Sequence, residues 1–197
     1  LWDSSKTRVV EFLIASEYSY MHKSSLRFIC NISEGIEALS KGLEAKTTWE
    51  NGELIEMRNK HKKIYGQKQE WGPGAITETV RSLVPRDTVI TMDSGAHRIL
   101  ISQAWRTYVP RSALQSSAFC TMGCALPLAT GAKLADPGRV VVAFMGDGGL
   151  EMVLGELITL RDLGLPVIVV VFVDASLALI EKKQREMQYK NVGVDME

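Results

Sequence analysis

The segment "VVVAFMGDGGLEMVLGELITL", residues 140–160, changes character halfway along. Its opening, Val140 to Met145, is apolar, short and rich in β-branched residues, the composition of a strand buried on both faces. Its second half repeats Leu150, Val153, Leu154, Leu157 and Ile158 at i, i+3, i+4, i+7 and i+8, one face of a helix. Between the two stands Gly146-Asp147-Gly148-Gly149. An Asp-Gly pair also favours a hairpin. A hairpin needs a second strand with period-two alternation, and a helical period follows instead. The stretch reads as strand, tight turn, helix. A plain βα loop that holds no ligand would carry the same residues.

On either side of this segment, the rhythm is regular from Gly74 onward. The pattern predicts helices over 76–83, stopped by Pro85, and over 95–105, the latter short and preceded by a loop. It predicts a further helix over 122–135, with Pro127 in its first turns or kinking it, then helices over 150–163 and 177–188. Gly164 falls at the C′ position of the helix over 150–163, with Pro166 beyond it. Strands are predicted over 87–92, 139–145 and 166–174, with a minimal one at 114–115. Alternating helices and continuously apolar strands imply a doubly wound parallel sheet covered on both faces, an α/β fold. Upstream, 7–14 and 26–30 read as short strands, and 32–45 as an amphipathic helix capped by Asn31 or Ser33. Residues 46–70 are polar and helical in part. "EWGPGA", 70–75, marks a boundary, so two domains are expected, 1–70 and 71–197.

The composition is that of an ordinary globular chain: 46% hydrophobic, 23% charged, formal net charge zero over 197 residues. Zero net charge leaves no electrostatic footprint for nucleic acid or an anionic membrane. The run "RNKHKK", 58–63, reads as a solvated surface segment. Three cysteines make no disulfide scaffold, and Cys120 and Cys124 lack the second Cys/His pair of a zinc site. Reduced thiols and the absence of an apolar leader in "LWDSSKTRVV" point to the cytoplasm. The longest apolar run, 167–173, is too short to span a bilayer. A start at Leu1 and an end in "NVGVDME" suggest a piece of a longer chain.

In open parallel sheets, ligands bind beyond the carboxyl ends of the strands. Three such ends here are polar: Asp93-Ser94-Gly95-Ala96-His97, Gly146-Asp147-Gly148-Gly149, and Asp174-Ala175-Ser176. The dinucleotide fingerprint fails because Glu151 stands where its third glycine belongs, and a P-loop fails for want of Gly-Lys-Ser/Thr. What remains is a glycine turn with bare N–H groups at a helix start, a seat for phosphate. Asp147 would repel that phosphate unless a cation bridged them. Mg²⁺ does so, since it takes one or two carboxylates with phosphate oxygens and waters. Asp174 can supply the second carboxylate. Read alone, His97 is a structural surface histidine, Met122, Met145 and Met152 are core filler, and Cys120 is a small buried apolar residue.

"GDGG" followed by Asp174 resembles the metal–diphosphate motif of thiamine-diphosphate enzymes. "GPGAITETVRSLVPRDTVITMDSGAHR", "SSAFCTMGCALPLATGAKLADPGRVVVAFMGDGGLEM" and "GELITLRDLGLPVIVVV" are similar to the large subunit of acetolactate synthases, strongly over 72–197 and faintly over 1–70. The resemblance implies a thiamine-diphosphate-binding fold preceded by the tail of the family's middle domain. It implies Asp147, Asp174 and the Ser176 carbonyl as Mg²⁺ ligands. Gly95, Ala96, His97, Gly146, Gly148 and Gly149 would surround the diphosphate. Met122 would prop the bent cofactor, and the Cys120 carbonyl would face its aminopyrimidine. Two positions depart from the family habit: Asp174 where Asn is usual, and Cys120 where Gly is usual.

The implied activity is decarboxylation of a small 2-oxo acid with carboligation, with FAD as a further cofactor in some members. The glutamate that activates the pyrimidine belongs, in the family, to an earlier domain of a second subunit. A homodimer or homotetramer is therefore expected, and residues 1–197 alone should turn nothing over. Competing readings are a benzoylformate- or oxalyl-type decarboxylase of the same fold, a non-catalytic phosphate-binding module, and a flavodoxin-like redox module.

Overall fold

The computed structural model describes residues 3, 6–16, 24–46, 49, 51–65 and 71–196. The chain forms two compact units, Leu1–Glu53 and Leu54–Glu197. In the first, β1 (Val10–Leu13) and β2 (Leu26–Ile29) pair in parallel, with Phe12 and Phe28 in register and their rings stacked at 5.4 Å. Helix α1 (Ile32–Ser40) follows. Of the two candidate caps, Asn31 serves: its side-chain oxygen accepts the Ser33 N–H at 3.0 Å. The helix ends five residues before the predicted position 45, with Lys41 as C-cap and Gly42, a poor helix former, next.

The second unit runs through α2 (Glu53–Tyr65, whose first residue closes the first unit), α3 (Pro73–Leu83), β3 (Val89–Met92), α4 (Ala96–Ala104), β4 (Ala113–Gln115) and α5 (Ala125–Ala135). It continues with β5 (Val141–Gly146), α6 (Asp147–Met152), α7 (Glu156–Asp162), β6 (Ile168–Phe172) and α8 (Ala178–Glu186). The four strands form one wholly parallel sheet in the order β4-β3-β5-β6. Strand β5 shows why the sheet is covered twice. Val141, Ala143 and Met145 pack with Leu126 and Ala129 of α5 and Leu160 of α7. Val142 and Phe144 point the other way, to Ile101, Trp105 and Phe172, with Ile76 and Val80 of α3 against that cluster. The doubly wound α/β fold predicted from the alternating pattern is thus present. A buried hydroxyl ties strand to helix: Thr91 Oγ1 donates to the Ala125 carbonyl at 2.7 Å.

Three boundaries differ from the sequence expectation. Helix α3 starts at Pro73, since proline at the first helical position loses no hydrogen bond. Helix α5 starts at Ala125, after a turn in which Gly123 takes φ +77°, and Pro127 sits in its first turn. The single helix predicted over 150–163 is two short ones. Asp147 already belongs to α6, Val153 leaves helical geometry at φ −129°, and Gly155 is the N-cap of α7. The apolar repeat that suggested one helix is buried only in its first part, where Leu150 and Val153 pack against the core. Leu154, Leu157 and Ile158 are exposed, and Leu160 is the residue that enters the core. The predicted end is correct: Gly164 is left-handed at φ +61°, Leu165 N–H donates to Leu160 O at 2.9 Å and Gly164 N–H to Arg161 O at 3.0 Å.

Gly123 has no room to change. A β-carbon there would lie 2.9 Å from Val153 Cγ1 and 3.1 Å from Gly149 O, on a backbone that disfavours side chains. Gly123→Ala is expected to cost about 1–3 kcal/mol. A denaturant midpoint equal to that of the parent protein would contradict this.

Candidate functional site

Parallel neighbours β3, β5 and β6 end on one edge of the sheet, at Met92, Gly146 and Phe172. The turns that follow them meet around a cavity of about 720 Å³. Gly95, Ala96, His97, Cys120, Met122, Gly146, Asp147, Gly148, Gly149, Asp174 and Ser176 all line it. The residues that the resemblance assigns to cofactor and metal therefore all line one cavity.

Helices α4, α6 and α8 begin at this wall, at Gly95, Gly146 and Leu177, and none of the three has a side-chain cap. The first N–H groups of a helix lack the backbone partner that later ones have, which makes the wall a donor surface for an anion, although the Gly148 N–H is already taken by Asp147 and the Ile180 N–H by the Leu177 carbonyl. Helix α6 is only six residues long, so its dipole is weaker than that of the long helix expected. Bare amide donors and any bound cation carry more of the burden.

Asp147 organises the turns. Its Oδ1 accepts the Gly148 N–H at 2.8 Å; its Oδ2 accepts the Ala175 N–H at 2.9 Å and the Asp174 N–H at 3.2 Å. Asp174 Oδ1 accepts the Ser176 N–H at 3.2 Å, and the Ser176 hydroxyl donates to Glu181 at 3.1 Å. Ala175, between them, is left-handed at φ +53°. The two carboxylates thus lie on adjoining turns, joined through backbone. Among the described residues no group of three or more His, Cys, Asp and Glu side chains converges to hold a metal. A cation here would need backbone oxygen, water or ligand phosphate besides the two aspartates, the mixed oxygen set that suits Mg²⁺.

Several features escaped the sequence reading. Asp93, fully buried, is bonded to His97 Nε2 at 2.8 Å and accepts the Gly123 N–H at 2.8 Å. The His97 ring lies on Phe172, 5.5 Å between centroids and 13° between planes. The last described residues return to the site: Leu177 N–H donates to Val194 O at 2.7 Å and Met196 N–H to Ala175 O at 2.9 Å. Met196 and Met122 flank Gly148, so that a β-carbon on Gly148 would lie 3.2 Å from each. Cys120 is left-handed at φ +50°, a conformation that suits glycine better, and its N–H donates to Ser116 Oγ at 3.1 Å. The "DSGAH" cluster held the one available signal, a carboxylate and an imidazole at a strand end.

Residues 93–196 match the family described as thiamine pyrophosphate enzyme, C-terminal TPP binding domain. The chain is 33% identical over 123 residues to an acetolactate synthase of Bacillus subtilis (strain 168), covering 62% of this chain and 22% of that protein. It is 26% identical over 173 residues to the acetolactate synthase large subunit of Lactococcus lactis subsp. lactis (strain IL1403), covering 86% and 30%. Against the acetolactate synthase isozyme 1 large subunit of Escherichia coli (strain K12) it is 36% identical over 109 residues, covering 55% and 19%. The chain thus spans less than a third of the length of these relatives. Among the described residues, no helix is long and apolar enough to cross a membrane.

Proposed function

Since this chain belongs to the thiamine pyrophosphate enzymes, by their C-terminal TPP-binding domain, we propose that it forms the diphosphate- and magnesium-binding half of an acetolactate synthase-like active site, one that decarboxylates a small 2-oxo acid and joins the remainder to a second carbonyl compound. The observation that carries the reading is the single cavity where uncapped helix starts, bare glycines and the Asp147–Asp174 turn pair meet. These residues fit the group: glycines let backbone approach a diphosphate closely, open N–H groups donate to it, and two hard oxygen donors suit Mg²⁺.

In this reading Asp147, Asp174 and the Ser176 carbonyl hold Mg²⁺. Gly95, Ala96, His97, Gly146, Gly148 and Gly149 hold the diphosphate. Met122, seated against Gly148, would support the bent cofactor, and the Cys120 carbonyl, on a left-handed backbone, would face its aminopyrimidine. When bound, thiamine diphosphate supplies the electron sink for breaking a carbon–carbon bond beside a ketone. The work of this chain is to position and neutralise: it fixes the diphosphate, balances its charge, and shields the reacting end from water with the apolar wall formed by Leu100, Phe172, Leu177 and Ile180. The glutamate that engages the pyrimidine is supplied by a second subunit, in a homodimer or homotetramer. The acetolactate synthase likeness brings FAD into the proposal as a further cofactor, and no cavity residue is assigned to it. Free thiols at Cys30, Cys120 and Cys124 support a reducing compartment, the cytoplasm.

CO₂ release from pyruvate and from benzoylformate by the full-length protein, with thiamine diphosphate and Mg²⁺, tests the proposal. Turnover of pyruvate with formation of a condensed product is expected. Cofactor binding without turnover of either acid would overturn the assigned reaction.

Asp174→Asn is expected to be tolerated. The amide oxygen can accept the Ser176 N–H and can still ligate Mg²⁺. Affinity for thiamine diphosphate should stay within about fivefold, under ~1 kcal/mol. A loss beyond tenfold by calorimetry would show that the second negative charge is required.

A further inference from the structure

Resting on the diphosphate reading above, we propose that Asp93 is a positioning residue for the cofactor seat: one buried carboxylate whose two oxygens lock two of the loops that hold the anion. Asp93 is 1% exposed, and both of its oxygens are engaged. Oδ2 accepts the Gly123 N–H, and Oδ1 faces His97 Nε2, each at 2.8 Å. A carboxylate offers only acceptors, so Nε2 carries the hydrogen and Nδ1 is left for the cavity. Stacking on Phe172 fixes the ring plane. The free edge lies against the seat: a β-carbon on Gly95 would fall 2.6 Å from Nδ1, and one on Gly146 would fall 3.6 Å from it.

The second oxygen acts on a different loop. Holding Gly123 holds the turn that presents Cys120 and Met122 to the cavity. Asp93 Oδ2 also stands so close to Gly149 that a β-carbon there would overlap it. The β3–α4 turn, the 120–124 turn and the end of the glycine motif therefore meet on one side chain. Its i, i+4 relation to His97 spans a strand end and a helix start, so it does not belong to a helical face. Burying a carboxylate is unfavourable unless its partners are donors with good geometry, and here both are.

The test is Asp93→Asn in the full-length protein. The amide keeps the shape but offers one acceptor and one donor to two facing donors. Either Gly123 loses its partner, or His97 turns to its other tautomer. Thiamine diphosphate affinity with Mg²⁺ saturating is expected to fall about 10- to 100-fold by calorimetry, as for other groups that orient a ligand's contacts. In ¹⁵N spectra of uniformly labelled protein the wild-type His97 should carry its hydrogen on Nε2, and the variant should show a changed imidazole nitrogen pair or a shifted Gly123 amide. Unchanged affinity in the variant overturns the positioning role while leaving the cofactor reading intact. A wild-type protein that takes up no thiamine diphosphate overturns that reading and this role with it. If the variant fails to fold, the wild-type spectrum decides: an Nε2 without hydrogen overturns the proposal, and Nε2–H supports it.

Discussion

Asp147→Ala is expected to weaken Mg²⁺-dependent binding of thiamine diphosphate by at least about 100-fold, more than the loss of a group that only supports a ligand. The effect has two sources. The variant removes the carboxylate that would face the metal from the glycine turn. It also removes the acceptor for the Gly148, Asp174 and Ala175 N–H groups, the link between the ends of β5 and β6. Hydrogen bonds to a charged acceptor contribute about 1.5–3 kcal/mol each. Ala175 is left-handed, so the turn that presents Asp174 has reason to relax once the link is gone. Asp147→Asn separates the two sources, since its amide oxygen can keep one of the N–H bonds. Calorimetry on both variants reads the result. Unchanged affinity in Asp147→Ala would remove the metal assignment.

Phe144→Ala is expected to cost about 3–5 kcal/mol of stability. Phe144 has no solvent exposure and lies on β5, between β3 and β6. Its ring meets Trp105 edge-on at 5.6 Å and Phe172 at 6.2 Å. The strands on either side are held by the sheet, so the site cannot collapse to fill the space. Phe172 also carries the His97 ring, so the variant should loosen the seat as well as the core. A drop of less than about 1 kcal/mol in denaturant unfolding would show that the cluster repacks.

The parts of the fold that were legible are those whose residues admit one environment. Val141 to Met145 are apolar on both faces of a strand, which requires helices on both sides. Gly164 marked a helix end because a left-handed residue closes the hydrogen bonds there. The break between α6 and α7 was not legible. An apolar period runs unbroken across Gly155, while the structure packs Leu150 and Val153 against the core and leaves Leu154, Leu157 and Ile158 exposed, so only the first part of the period marks a buried face.

The site was legible as a set of strand ends, since in a parallel sheet these share one edge. Which ends are neighbours was not: β5 lies between β3 and β6, and β4 is at the margin, an order no local pattern contains. The left-handed backbone at Cys120 and Ala175 was equally hidden, because neither residue type signals it. Asp93 was visible only as one more polar residue after a strand. Its role depends on where Gly123 returns, thirty residues later.

Thiamine diphosphate and Mg²⁺ are expected to bind together at the Asp147 turn. Isothermal titration of thiamine diphosphate into the full-length protein, with Mg²⁺ and again with the metal chelated, tests it. Saturable binding at one cofactor per chain that disappears on chelation is expected. No heat of binding with Mg²⁺, or equal affinity with the metal removed, would contradict it.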